Sequence, residues 1–165
     1  MRLLIIRHAI AVDPETGGMA DEDRPLTPDG AKKWKAAAQG LAAILDPPGA
    51  LLTSPLLRAR QTAEIAGQAW GGLDPRKTDA LAGGSFDELA AVVDGYRDRE
   101  LVVVVGHEPS LSSLLARLLG TRHDERLAFK KGGAALLEVP AGLAGGGQLV
   151  WLLPPRLLRA LGALP

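Results

Sequence analysis

The chain has 165 residues with 19 basic and 19 acidic side chains, so its formal net charge is zero, and it contains no cysteine. That length suits one domain with a core of its own, and the missing thiols exclude disulfide scaffolds, thiolate catalysis and cysteine-based zinc sites. The balanced charge argues against non-specific binding to nucleic acid or to an anionic membrane, so any phosphate recognition has to be local.

The first element is the apolar run Leu3-Leu4-Ile5-Ile6, closed by Arg7 and His8. It is too short for a signal-peptide core or a membrane span, and a cytoplasmic protein is expected. An unalternated run of this length suits a strand covered on both faces. Ligands of such sheets bind at the carboxyl ends of the strands, which is where Arg7 and His8 stand. A surface arginine beside a satisfied core histidine is the alternative, and this stretch alone leaves both open.

The loop from Ala9 to Leu26 is long for a simple connection. Its acids, among them Asp13, Glu15, Asp21, Glu22 and Asp23, are expected in solvent, and Arg24 reaches the strand ends if the loop folds back. Thr27-Pro28-Asp29 then supplies a cap, a proline at the first helical position and an acid in the first turn. Ala31, Trp34, Ala38, Leu41 and Leu45 form the apolar stripe of that helix, which Asp46-Pro47-Pro48-Gly49 stops.

A second strand is expected over Ala50 to Thr53, with Ser54-Pro55 opening a helix whose stripe is Leu56, Ala59, Ala63, Ala66 and Trp70. Arg58 falls about one turn inside it. A helix N-terminus with a guanidinium suits an anion. The macrodipole disfavours a cation there, which calls for a compensating anion. The plainer alternative is a surface charge.

Gly71 to Gly84 reads as a loop with one short strand around Lys77 to Leu81, and Ser85-Phe86-Asp87-Glu88 as a capping box for a helix reaching about Tyr96. Leu101 to Val105 is the clearest strand, and it runs straight into Gly106-His107-Glu108-Pro109. His107 thus occupies the same topological position as His8, and the repetition favours chemistry over core packing. Leu111, Leu114, Leu115 and Leu118 give the next helix its stripe, ended by Gly120, and His123 is expected in a solvated loop. Strands over Ala134 to Val139 and Gln148 to Leu153 flank a hairpin-like turn at Gly142 to Gly147, and Pro154-Pro155 opens a last helix with Leu157, Leu158 and Leu161. Alternating strands and helices predict a single three-layer α/β domain over residues 1–165.

If the strands that end in Arg7-His8 and His107 neighbour the one that precedes Arg58, four side chains converge on an anion-sized pocket. Such a set suits phosphoryl transfer through a histidine, with guanidiniums neutralising the oxygens and no metal required. The sequence has no GxxxxGK, GxGxxG, HExxH or GxSxG motif, which argues against a P-loop, a dinucleotide site, a zincin and a nucleophile elbow.

Arg7-His8, the run Ser54-Pro55-Leu56-Leu57-Arg58-Ala59-Arg60-Gln61-Thr62-Ala63, and Gly106-His107 together resemble the histidine phosphatase (phosphoglycerate mutase-like) superfamily. Arg24-Pro25-Leu26-Thr27 and Lys130-Lys131-Gly132-Gly133 are similar, more narrowly, to the SixA phosphohistidine phosphatases. The resemblance implies a mostly parallel central sheet with helices on both faces and a C-terminal hairpin-like edge. It implies that His8 is the nucleophile that becomes phosphorylated, that Arg7, Arg58 and His107 line the phosphate pocket, and that Arg24 touches the same oxygens. Ala9 stands where glycine is usual. No carboxylate is plainly a general acid; Glu108 is nearest in sequence, and Asp13 could arrive on the long loop. The implied activity is a cofactor-free and metal-free phosphohistidine phosphatase acting on a histidine-phosphorylated phosphorelay or carrier domain. A small-molecule phosphomonoesterase or mutase using His8, and a non-catalytic phosphoprotein-binding module, are the alternatives. A monomer is plausible.

Overall fold

The strand Arg2–Arg7 (β1) has four consecutive residues, Leu3 to Ile6, with no exposed surface, because both of its faces are covered. The computed structural model describes residues 1–15 and 18–163, so two residues of the long first loop and the last two of the expected 1–165 domain lie outside the described residues. The remaining elements are the helix Pro28–Ile44 (α1), the strand Ala50–Thr53 (β2), the helix Leu57–Ala69 (α2), the short strand Arg76–Lys77 (β3), the helix Phe86–Asp94 (α3), the strand Leu101–Gly106 (β4), the helix Ser110–Leu118 (α4), the strands Ala134–Glu138 (β5) and Gln148–Leu153 (β6), and the helix Pro155–Leu161 (α5).

The six strands run in the order β3-β2-β4-β1-β5-β6. β1 lies parallel to β4 and antiparallel to β5, β2 is parallel to both β3 and β4, and β5 and β6 form the antiparallel edge. Successive residues of a strand point to opposite faces. Leu4, Ile6, Val103 and Val105 accordingly join one core layer with Trp34, Leu41, Ala63 and Leu158, while Leu3, Ile5, Val102 and Val104 join another with Leu89, Leu111 and Leu115. The expected α/β sandwich and its hairpin-like edge are both present.

Several boundaries differ from expectation. α2 begins at Leu57 and has no side-chain cap, because Ser54 and Pro55 lead off the end of β2. Arg58 is therefore the second helical residue. The strand expected over Lys77 to Leu81 is only Arg76–Lys77, since Thr78 caps a 3₁₀ turn at Asp79–Leu81. The capping box at Ser85 and Glu88 is formed, and its helix ends at Asp94. Gly40 lets α1 and α5 approach closely: a Cβ there would collide with the Leu158 carbonyl oxygen.

Candidate active site

Strand register sets the site. Arg7 pairs with Gly106 and Thr53 with Val105, so His8, His107 and Ser54 all step off the same end of three adjacent parallel strands. The backbone carries this order one residue further, with the His8 N–H donating to the Gly106 carbonyl and the Ser54 N–H to the Val105 carbonyl, both at 3.0 Å. The two imidazole centroids are 5.1 Å apart.

His8 is 7% exposed. Its Nδ1 lies 2.7 Å from the Ala9 carbonyl oxygen. A carbonyl only accepts, so Nδ1 carries the hydrogen and Nε2 keeps its lone pair. Burial pushes the His8 pKa down to about 3; the bond to Ala9 opposes this, and the charges of His107, Arg58 and Arg7 add to it. The ring is neutral at neutral pH. The Ala9 N–H donates to Thr62 Oγ1 (3.0 Å), which in turn donates to the Arg58 carbonyl (2.7 Å), while Trp34 Nε1 donates to the Thr62 carbonyl (2.7 Å). These bonds tie the turn after β1 to α2 and α1. From the other side, Gly132, at φ +75°, donates its N–H to the carbonyls of Arg7 and His8.

His107 Nε2 is 2.8 Å from Ser54 Oγ, and its Nδ1 is buried without a partner among the described residues. Burial, then the Arg58 charge, pushes its pKa down to about 4; Asp21 opposes, and Arg24 and Arg7 add smaller effects in the same direction as burial.

Arg58, at the start of α2, is 6% exposed. It donates from Nη1 to the Asp21 carbonyl (2.7 Å) and from Nη2 to Asp21 Oδ2 (3.0 Å). Asp21 Oδ1 accepts from Arg24 Nε (2.9 Å) and Nη2 (2.7 Å), and Arg24 Nη1 donates to the Val12 carbonyl (2.6 Å). Hydrogen bonds from Arg24, and secondarily the pairing with Arg58 against some burial, hold the Asp21 carboxyl below the usual range. Arg7 donates from Nη1 to the Phe129 carbonyl (2.5 Å), and burial lowers its pKa against the raising effect of Glu108. The Nε atoms of Arg7 and Arg58 are buried and have no partner among the described residues.

His8, Arg7, Arg58 and His107 thus meet as expected, and the folded loop brings Arg24 beside them. Glu108 lies against the same cluster, but Oε1 accepts from the Phe129 N–H (2.7 Å) and Oε2 from the Ser112 N–H (3.2 Å) and Oγ (2.7 Å). Asp13 is exposed, with no hydrogen bond or ion pair among the described residues. Asp21 is exposed, as expected of the loop acids, and it also joins two guanidiniums. The cation at a helix N-terminus signalled a missing anion without saying where in the chain it would be. Ser54, expected as a helix cap, faces His107. A neutral imidazole with a free Nε2 lone pair can attack an electrophilic centre, and unpartnered N–H groups beside it can receive the oxygens of an anion.

The fold is phosphoglycerate mutase-like, with a histidine–arginine cluster at the carboxyl ends of its inner strands. The profile of the histidine phosphatase superfamily (branch 1) matches residues 3–90. An uncharacterised protein of Picosynechococcus sp. is 38% identical over 137 residues, covering 81% of this chain and 82% of that one. Among solved structures, a candidate phosphohistidine phosphatase SixA of Nakamurella multipartitia is 31% identical with a TM-score of 0.76, over 93% of this chain and 95% of that one. The protein histidine phosphatase SixA complexed with tungstate is 26% identical with a TM-score of 0.82, over 96% of this chain and 99% of that one. The chain belongs to the histidine phosphatase superfamily as a SixA-type member, and it is a hydrolase. Among the described residues no helix is long and apolar enough to cross a membrane.

Proposed function

We propose that this chain is a cytoplasmic protein phosphohistidine phosphatase, one domain over residues 1–165, acting on a histidine-phosphorylated phosphorelay or carrier domain in signal transduction. His8 Nε2 attacks phosphorus. The phosphorus–nitrogen bond of the substrate breaks, and its electron pair leaves on the substrate imidazole, which takes a proton from water. Arg7, Arg58 and His107 donate to the phosphoryl oxygens through the transfer, with Arg24 at the rim. Phosphorylated His8 holds its Nδ1 hydrogen against the Ala9 carbonyl. Water then adds to phosphorus, both its protons leave on the product phosphate, and Nε2 regains its lone pair. No step requires a metal.

The observation that carries the choice of substrate is the state of the two carboxylates beside the pocket. Asp21 and Glu108 each accept hydrogen bonds on both oxygens, so neither is arranged to give a proton to a leaving alkoxide. Imidazole leaves without that help, whereas an alkoxide does not. Similarity to a protein histidine phosphatase that binds tungstate, an oxyanion shaped like phosphate, supports the same reading.

The test compares phosphate release from a histidine-phosphorylated carrier domain and from an alkyl phosphate, using wild-type and His8→Ala proteins. Carrier dephosphorylation that needs His8, with little ester cleavage, is expected. Ester hydrolysis at much higher efficiency than carrier dephosphorylation would refute the assignment.

A further inference from the structure

We infer that Asp21 is a positioning residue for the phosphoryl pocket, gripping the tip of the Arg58 guanidinium so that its buried Nε–H is left for an oxyanion. The inference rests on the reading above, in which Arg58 receives the phosphoryl group. A cation at the second position of a helix lies at the positive end of the macrodipole, and burying it there without a counter-charge is costly. Asp21 supplies the counter-charge from the long loop, 37 residues away in sequence, through its carbonyl on Nη1 and its carboxylate on Nη2.

The mode of contact separates positioning from competition. A competitor for the phosphoryl group would have to occupy the N–H that the oxyanion is to use. Asp21 takes only the two terminal amino groups, and Nε stays buried and unpartnered. Arg7 is treated the same way: Nη1 is held by the Phe129 carbonyl, the Phe129 N–H is held by Glu108, and Nε is left unpartnered. Each guanidinium is thus fixed at its tip by a group that traces to one carboxylate, direct for Asp21 and relayed for Glu108.

Asp21 is itself held in place. Arg24 binds its Oδ1 and reaches on to the Val12 carbonyl, the Val12 N–H donates to the Pro25 carbonyl (2.9 Å), and the Leu26 N–H donates to Gln61 Oε1 on α2 (2.7 Å). The loop is therefore clamped to the same helix that carries Arg58. Among the described residues, no other acid of this loop forms a hydrogen bond or ion pair with either Arg24 or Arg58.

The test measures affinity for tungstate by titration calorimetry in wild type, Asp21→Asn, Arg58→Ala and the double variant, with thermal melting of each to verify folding. Asn keeps the size of the side chain and removes the charge. The single charge-assisted bond from Arg58 to this carboxylate, which is 58% exposed, predicts a loss of about threefold in tungstate affinity for Asp21→Asn. The same substitution in the Arg58→Ala background is expected to have a smaller effect, because Asp21 acts mainly through Arg58 and only its hold on Arg24 is left to lose. Unchanged or tighter tungstate binding by Asp21→Asn, or a full additional loss in the double variant, would overturn the role of Asp21 while leaving the pocket assignment intact. Wild-type tungstate affinity in Arg58→Ala would overturn the pocket assignment and the role of Asp21 with it.

Discussion

Lowering the pH from 7 to 4.5 tests the electrostatics of the site. An exposed histidine takes up its proton near pH 6.5, whereas burial holds His8 at about 3 and His107 at about 4. Between these values and pH 6.5 the unfolded chain binds protons at both positions and the folded chain does not. Stability therefore rises with pH across this window and is lost progressively as pH falls below 6.5. At pH 4.5, two pH units below the unfolded value, His8 alone costs about 2.5 kcal/mol, at 1.36 kcal/mol per unit. His107 adds to this in the same direction. Against a total stability of about 5–15 kcal/mol for an ordinary domain, this is a large share. The chain has only three histidines, so the imidazole C–H resonances can be followed by NMR through the same titration and assigned with His8→Ala and His107→Ala. The His8 and His107 signals are expected to stay at neutral-imidazole shifts down to pH 5, while denaturant midpoints fall between pH 7 and 4.5. A His8 signal titrating between pH 6 and 7 in folded protein would refute the argument.

Other perturbations separate the parts of the site. His8→Ala is expected to abolish turnover and covalent phosphate in acid-quenched reactions while keeping tungstate affinity, whereas Arg58→Ala loses turnover and most, though not all, of its tungstate affinity; equal tungstate affinity in the two would contradict these roles. Arg58→Lys restores only part of the activity, because an ammonium cannot make two bonds in the plane of the original fork. Thr62→Val removes the acceptor of the Ala9 N–H and leaves a buried donor unpaired, costing about 1–3 kcal/mol in chemical denaturation and lowering kcat. Gly40→Ala forces a methyl group against the Leu158 carbonyl, and a loss of about 1–3 kcal/mol is expected while kcat of the folded fraction is preserved. An unchanged melting temperature would show that α5 yields freely.

How much of this was legible in the chain depended on the range of the interaction. The runs Leu3 to Ile6 and Leu101 to Val105 announce strands covered on both faces, and Thr27-Pro28 and the box at Ser85 and Glu88 announce helix starts, because such signals lie within a few residues of what they specify. His8 and His107 were legible as a pair because each follows such a run directly. A serine before proline has the local meaning of a helix cap, and the bond of Ser54 to His107 across 53 residues has no local signature. Glu108 was near the site in sequence, but only the fold shows both of its oxygens taken up by Ser112 and Phe129.

The amino-acid sequence by itself determined the strands, most of the helices and the residue types at the strand ends, because periodicity, caps and β-branched runs act over a few residues. Strand order, register and the path of the long loop were decided only in the tertiary structure. Those features bring His8 beside His107 and carry Asp21 to Arg58, and they depend on pairings between distant segments, where the partner is chosen by geometry and burial.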